Sequence, residues 1–248
     1  MTWAREMRIG IISDIHSNLE ALEVILRDID LQKIDRVWCL GDIVGYGPDP
    51  NECIDLVRSN IDICVMGNHD QTMVGVLEHF DFNPDAEKAF LWTRTILTED
   101  NKEYIKTLPL KLEIGDFTLV HGSPREPFEY ITSSFEADEA LQYLKSLYCL
   151  IGHSHVPMII TLGEKTKRRN NYLTNLRKFT LTEHATFINP GSVGQSRDGN
   201  PKASYMIYDS DLNQVTHRRV AYDVNRPRQK MKSVGLPEWL GDRLLIGL

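Results

Sequence analysis

Residues 8–16 read Arg8-Ile9-Gly10-Ile11-Ile12-Ser13-Asp14-Ile15-His16, a short apolar run that stops on an aspartate and a histidine. Its length and isoleucine content suit a buried strand. Directly after it, Leu19, Leu22, Leu26 and Ile29 fall on one face at helical period, with Ser17 and Glu20 in capping-box spacing. A strand that feeds straight into a helix opens an α/β unit. The rhythm then repeats: residues 36–40 read as a second strand, 51–59 as a second helix and 61–66 as a third strand. Such repetition implies right-handed crossovers and a mostly parallel sheet.

Working outward, helices are expected at 84–97 and 101–108, the first with Asn83 as N-cap and Pro84 at the first helical position. Strands at 117–121 and 148–151 flank a helix at 135–146 that Ser133 and Glu136 can cap. From Met158 the pattern turns strand-rich, with strands at 158–162, 186–189, 204–209 and 214–219. The polar stretch 163–184 reads as an exposed hairpin or loop excursion. No repeat or low-complexity linker interrupts the chain, so 1–248 reads as one domain. Residues 226–232 form a basic helix candidate. Residues 236–248 are apolar without a clear period, suited to packing on the core or to a subunit contact.

Composition narrows the function class. The 248 residues are 42% hydrophobic and 25% charged, enough to bury a core without disulfides. A net charge of −7 argues against a general nucleic-acid binder, which needs a basic stripe. It also means that a phosphate substrate needs local positive charge, such as bound cations. Cys39, Cys53, Cys64 and Cys149 show no CxxC spacing and read as buried free thiols. No apolar stretch is long enough to span a membrane, and the first eight residues are too charged for a signal peptide, so a cytoplasmic location is expected.

Five segments share one peculiarity: each puts Asp, Asn or His where an apolar run gives way to a loop. They are Ser13-Asp14-Ile15-His16, Gly41-Asp42, Gly67-Asn68-His69-Asp70, His121-Gly122 and Gly152-His153-Ser154-His155. Strand carboxyl ends line the ligand crevice of an open α/β sheet, so these distant pieces can converge. The two-residue spacing of Asp14/His16 and His153/His155 would point each pair to one side of an extended backbone. Of eight histidines, only His79, His184 and His217 lie outside these segments. For those three, ordinary surface or core placement suffices.

The pattern D-x-H, G-D, G-N-H-D, a histidine and G-H-x-H, running in order from Asp14 to His155, resembles the calcineurin-like metallophosphoesterase superfamily. The later Asn189-Pro190-Gly191-Ser192-Val193-Gly194 and Arg197-Asp198-Gly199 look like its small prokaryotic branch with YfcE-type members. That resemblance implies a four-layer αββα sandwich, two mixed β-sheets flanked by helices, and, because small members of the family are often oligomeric, a homo-oligomer. It implies Asp14, His16, Asp42 and His155 around one metal and Asp42, Asn68, His121 and His153 around the other, with Asp42 bridging. A nitrogen and oxygen donor set without thiolate favours Mn, Fe, Zn, Co or Ni. Two such ions would hold a hydroxide for in-line attack on phosphorus, with His69 as general acid.

Asp70 could orient a histidine or be a plain surface acid. The loop 45–50 could form a lip over the site or a simple turn into the next helix. Asn18 and Arg197 are candidate substrate contacts, against readings as a helix-start residue and a solvated loop charge. The leading function is hydrolysis of small phosphate esters by a nucleotide-directed phosphodiesterase or phosphatase. Alternatives are a dinucleoside polyphosphate hydrolase, a Ser/Thr-type phosphatase and a metal-binding scaffold without turnover. The sequence carries Gly45-Tyr46-Gly47 where Ser/Thr phosphatases continue G-D-x-V with D-R-G, which removes a phosphate-gripping arginine.

Overall fold

The structure, a computed structural model, describes residues 7–75, 83–163, 169–172 and 178–248. In chain order the strands are β1 (Arg8–Ile12), β2 (Arg36–Cys39), β3 (Ile63–Cys64), β4 (Lys111–Ile114), β5 (Phe117–Val120), β6 (Tyr148–Leu150), β7 (Met158–Leu162), β8 (Arg169–Tyr172), β9 (Lys178–Thr180), β10 (Ala185–Asn189), β11 (Ala203–Asp209) and β12 (Gln214–Val220). The helices are α1 (Leu19–Leu31), α2 (Pro50–Asn60), α3 (Asn68–Met73), α4 (Pro84–Ile96), α5 (Glu99–Lys106), α6 (Ser134–Ala140), α7 (Asn225–Ser233) and α8 (Glu238–Asp242).

The strands form two six-stranded sheets, ordered β3-β2-β1-β11-β12-β9 and β4-β5-β6-β10-β7-β8. Both are mixed. β1, β2 and β3 pair in parallel while β11 runs against β1. β5, β6 and β10 pair in parallel while β4 and β7 run against them.

Side-chain alternation sets the layers. Ile9 and Ile11 of β1 enter a core shared with Trp38, Leu119, Leu150 and Ile188, between the sheets. Ile12 points the other way, onto Leu22 and Ile25 of α1 and Ile54 and Val57 of α2. Outside the second sheet, Val120, Cys149 and Phe187 pack on Ala137 and Ala140 of α6. The architecture is therefore the four-layer αββα sandwich that the resemblance implies.

Several local expectations shift. The helix expected at 135–146 ends at Ala140 and tightens into a 3-10 turn, Leu141–Tyr143. Asn18, not Ser17, caps α1: its Oδ1 accepts from Ala21 N at 3.2 Å, while Ser17 is still left-handed at φ 54. Residues 68–73 are helical rather than loop. In the stretch 163–184, β8 pairs antiparallel with β7 at the edge of one sheet, in keeping with the hairpin alternative, and β9 edges the other sheet beside β12. Residues 164–168 and 173–177 of that stretch lie outside the described residues. All four cysteines are buried and free. Among the described residues no helix is long and apolar enough to cross a membrane.

Candidate metal centre

Strands of both sheets deliver their carboxyl ends to one spot. Asp14 and His16 follow β1, Asp42 follows β2, and Asn68 and His69 open α3 just after β3. His121 follows β5 directly, and His153 and His155 follow β6. None of these eight side chains is more than 5% exposed.

The backbone that aims them is not extended. Asp14 (φ 55), His16 (φ 49), Asp42 (φ 54), His153 (φ 63) and His155 (φ 59) are all left-handed. The two-residue spacing therefore aligns each pair through tight turns rather than strand pleat. Each such non-glycine conformation costs on the order of 1–2 kcal/mol, so the surroundings must impose it. Asp14 N donates to Gly41 O (3.0 Å), His16 N to Asp42 O (3.0 Å) and Ser17 N to Ile43 O (2.9 Å), which zips the first two loops together. Ser192 Oγ donates to Asp14 O at 2.8 Å, and Asn189 Nδ2 donates to Gly152 O at 2.6 Å. The Asn189–Gly194 segment thus ties the loop after β6 to the loop after β1.

Asp70 is not a surface acid, and its carboxylate grips backbone. It is fully buried; Oδ1 accepts from Ile43 N (2.9 Å) and Val44 N (3.2 Å), and Oδ2 from Gly67 N (3.1 Å). It clamps the turn after Asp42 onto the start of α3. Burial, and then the neighbouring Asp42, push its carboxyl up to about 7. A side chain on Gly67 would sit 2.1 Å from Asp42 Oδ1, so only glycine allows this approach.

The histidine rings are oriented by carbonyls. Nδ1 of His16 faces Val44 O (3.1 Å), Nδ1 of His121 faces Leu40 O (2.7 Å) and Nδ1 of His155 faces Gln195 O (2.6 Å). A carbonyl only accepts, so each Nδ1 carries the proton and each Nε2 turns its lone pair inward. The Nε2 atoms of His16 and His155 then stand 3.0 Å apart. Two lone pairs held that close call for a cation between or beside them. Both oxygens of Asp14, Oδ1 of Asn68, and Nε2 of His121 and His153 are buried without a hydrogen-bond partner among the described residues. Such orphaned acceptors are costly unless an ion meets them.

Three triads bring one ligand atom each within 4.8 Å of one another: Asp14/His16/His155, His16/Asp42/His69 and Asp42/His121/His153. The donor set fits divalent metals. Electrostatics agree. Burial, and then the charge of His155, hold His16 well below the ordinary histidine range, and burial pushes His153 down to about 3. Burial alone would raise Asp42, but His121 and His69 outweigh it and hold the carboxylate ionised. His121 differs: burial would lower it, but Asp42 and Asp14 outweigh burial and push it up to about 10, so a cation bound there displaces a proton. His16 and His153 are already neutral beside charged carboxylates, the states that metals require.

An open cleft of about 290 Å³ lies above, lined by Asp42, His69, His153, Tyr46, Tyr130 and Arg197 among others. Arg197 is half-buried rather than a solvated loop charge: its Nη2 donates to Tyr46 Oη (3.3 Å) and Gln195 Oε1 (3.2 Å). Asn18 lies elsewhere in its duties. Besides capping α1, its Nδ2 donates to Gly194 O (2.8 Å) and Tyr222 Oη (3.1 Å), so its amide is committed to structure. The loop 45–50 does form a lip, with the Tyr46 ring 4.6 Å from the rings of both His16 and His69.

Besides Ala86, three polar or aromatic lining residues carry no functional signal in the sequence. Tyr130 stacks on His153 at 3.9 Å, from a loop with no periodic signal. Asn83 was read only as a helix cap, and Arg243 belongs to the aperiodic C-terminal stretch.

This fold and site define a class, and the sequence model of the calcineurin-like phosphoesterase superfamily domain matches residues 7–213. The chain belongs to that superfamily, whose chemistry is phosphoester hydrolysis with divalent metals. Among particular relatives, the chain is 39% identical over 246 residues to an uncharacterized protein of Methanocaldococcus jannaschii, covering 96% of this chain and 98% of that one. The crystal structure of a metallophosphoesterase from Sphaerobacter thermophilus superposes with a TM-score of 0.90 at 42% identity, over 98% of this chain and 100% of the other. A symmetrical bis(5'-nucleosyl)-tetraphosphatase of Vibrio parahaemolyticus is 25% identical over 156 residues, 60% of this chain and 54% of that protein.

Proposed function

We propose that this protein hydrolyses small phosphate esters, nucleotide diesters foremost, at two divalent cations. Asp14, His16, Asp42 and His155 would hold one, and Asp42, Asn68, His121 and His153 the other. The observation that carries this reading is the pair of ligand triads, Asp14/His16/His155 and Asp42/His121/His153, beneath an open cleft. When bound, such ions supply Lewis acidity toward phosphoryl oxygens and lower the pKa of water. The chain's own residues do the rest. Asp42, whose Oδ2 faces both His16 Nε2 (3.6 Å) and His121 Nε2 (3.2 Å) while Oδ1 accepts from His69 N (2.9 Å), would be shared by the two cations and partly offset their repulsion. The carbonyls of Leu40, Val44 and Gln195 fix the tautomers of His121, His16 and His155. Arg197 receives charge at the cleft wall.

His69 stands beside Tyr46 and His16, with burial pushing its ring down to about 4. In that neutral state one ring nitrogen still carries a proton, which it donates toward the leaving oxygen. Such help is worth about 10²–10⁴-fold. Its nitrogen also completes a triad with His16 and Asp42, so a ligand role is the competing assignment.

The test is reconstitution. Chelated protein loaded with Mn should bind two equivalents per chain and cleave an artificial diester. Asp42→Ala should lose both properties; His69→Ala should keep the metals and turn over slowly. An Asp42→Ala variant with wild-type turnover would end the two-cation reading. A second reading, hydrolysis of dinucleoside polyphosphates, is favoured by the similarity to the Vibrio tetraphosphatase, although the chain spans only about half of that protein.

A further inference from the structure

The loop after β5 does more than present His121. At the next residue, Gly122, a side chain would lie 2.5 Å from Glu129 O and 2.7 Å from Pro127 O, so only glycine lets the loop fold back on its own start. Gly122 N donates to Pro127 O (2.6 Å) and Ser123 N to Glu126 O (3.2 Å), which closes the turn. Arg125 Nε donates to Glu129 Oε2 (3.1 Å), and its Nη2 to Glu139 Oε2 on α6 (3.2 Å). Ile131 then enters the outer core with Val120 and Ala137. Tyr130 stands between these two anchors, the ion-paired Glu129 and the buried Ile131.

That anchoring fixes what Tyr130 can do. One face of its ring stacks on His153, with centroids 3.9 Å apart and planes 24° from parallel. Tyr130 is nevertheless 48% exposed, whereas none of the side chains at the metal centre exceeds 5%. The exposed part is the far face and edge of the ring, on the cleft that Asp42, His69 and His153 also line. A phenol ring loses little rotamer freedom when it meets a ligand, and here the loop and the imidazole have already taken most of it.

A flat aromatic face beside a phosphate site selects by shape. Every nucleobase has a π-face, so stacking accepts all of them and disfavours only groups without a ring. The cleft, about 290 Å³, lies at the lower end of the roughly 300–1,000 Å³ of sites that enclose a small ligand. A diester with its phosphate at the floor therefore leaves an alcohol group at the mouth, beside Tyr130.

We propose that Tyr130 is a specificity-determining residue of this site: its open face stacks on the base of a nucleoside ester, which favours diesters carrying a planar base over those of aliphatic alcohols. The inference rests on the phosphoesterase reading above and names the side chain that makes nucleotides its substrate class. Tyr130 meets the base and not the phosphorus, so it acts on binding rather than on the chemical step.

The first experiment needs no turnover. Protein in chelator and protein loaded with Mn are each titrated calorimetrically with adenosine 5'-monophosphate and with ribose 5-phosphate, which share phosphate and sugar and differ in the base. Wild type should bind the adenosine ligand ~10-fold tighter or more, the size that stacking of one base supplies. Tyr130→Leu, apolar but without a π-face, should lose most of that preference, and Tyr130→Phe should keep it. In turnover, kcat/KM of the Mn-loaded enzyme for adenosine 5'-(methyl phosphate) is divided by that for ribose 5-(methyl phosphate). Tyr130→Leu should lower this ratio ~10-fold, chiefly through KM, and Tyr130→Phe should not. A residue that only steadied His153 would slow both substrates alike and leave the ratio unmoved.

Equal affinity of wild type for the two ligands overturns the proposal, as does a wild type that binds neither. A preference kept in Tyr130→Leu, or lost in Tyr130→Phe, overturns it as well. Should Tyr130→Leu not fold, Tyr130→Thr decides by the same two measurements. A loaded wild type that prefers the adenosine ligand but cleaves neither diester would instead defeat the hydrolase reading and leave the platform standing.

Discussion

Asp70→Asn should damage both stability and the metal centre, although Asp70 is not among the proposed ligands. Its carboxylate accepts three backbone N–H groups, two on one oxygen and one on the other. An amide has one accepting oxygen, so in either orientation an NH₂ group opposes at least one buried N–H. Losing a charge-assisted bond and leaving a buried donor unmet costs about 2–3 kcal/mol, and weakening the two surviving bonds adds about 1. With a urea slope of roughly 3 kcal/mol/M, the unfolding midpoint should drop by about 1 M.

The same bonds position Asp42 and Asn68, because Gly67 and Ile43 flank them. Metal affinity should therefore fall about 10–100-fold, in line with the loss of a group that orients ligands. The assay is urea denaturation of the metal-loaded protein near neutral pH, where cations beside Asp42 would favour the ionised Asp70, followed by metal titration and diester turnover. A variant with the wild-type midpoint, two tightly held cations and full turnover would refute the clamp.

Gly67→Ala should be worse, since its Cβ would lie 2.1 Å from Asp42 Oδ1 and 2.3 Å from Asp42 N; normal metal binding by soluble Gly67→Ala protein contradicts that. Loading with Mn at about 100 times Kd should raise the thermal midpoint by about 5–10 °C per site, from about 2.7 kcal/mol of linkage. A scan that does not move on chelation would count against metal binding. His217, which meets Ser204 Oγ at 2.8 Å, is pushed by burial, and then by Arg219, down to about 4. Its folded value lies below the ordinary 6.5, so on acidification the unfolded chain takes up the proton first. The stability it contributes is complete above about 6.5 and is lost as pH falls toward 4, by up to roughly 3 kcal/mol. Denaturation of wild type and His217→Asn across that window should show the difference shrinking; parallel curves would contradict it.

Much of the site was legible because chemistry and topology coincide. Asp14, His16, Asp42, Asn68, His121, His153 and His155 each follow a short apolar run, and strand ends in α/β folds are where sites form. The repeating strand–helix rhythm gave the first layers for the same reason. What stayed hidden depends on contacts without a local signature. Arg243 reaches the cleft only because Met231, Leu240 and Leu244 dock on Tyr46 and α4, and that docking leaves no period in residues 236–248. For Asn18 the helix-start alternative was readable from sequence, whereas the bonds from its Nδ2 to Gly194 and Tyr222 join distant segments and were not. Asp70 betrayed nothing of its clamp, because its partners are backbone groups that every residue type carries. Strands β8 and β9 lay in a polar stretch, where edge strands need few apolar side chains.

The left-handed turns carry an evolutionary consequence. Asp14, His16, Asp42, His153 and His155 occupy conformations that glycine adopts at no steric cost. Under selection for thermal robustness in the absence of metal, glycine at each would relieve on the order of 1 kcal/mol of backbone strain and remove a metal ligand at the same time. Laboratory stabilisation of this scaffold by unguided screening should therefore drift toward inactivity at these five positions first, and any campaign to harden it has to look for its gains elsewhere.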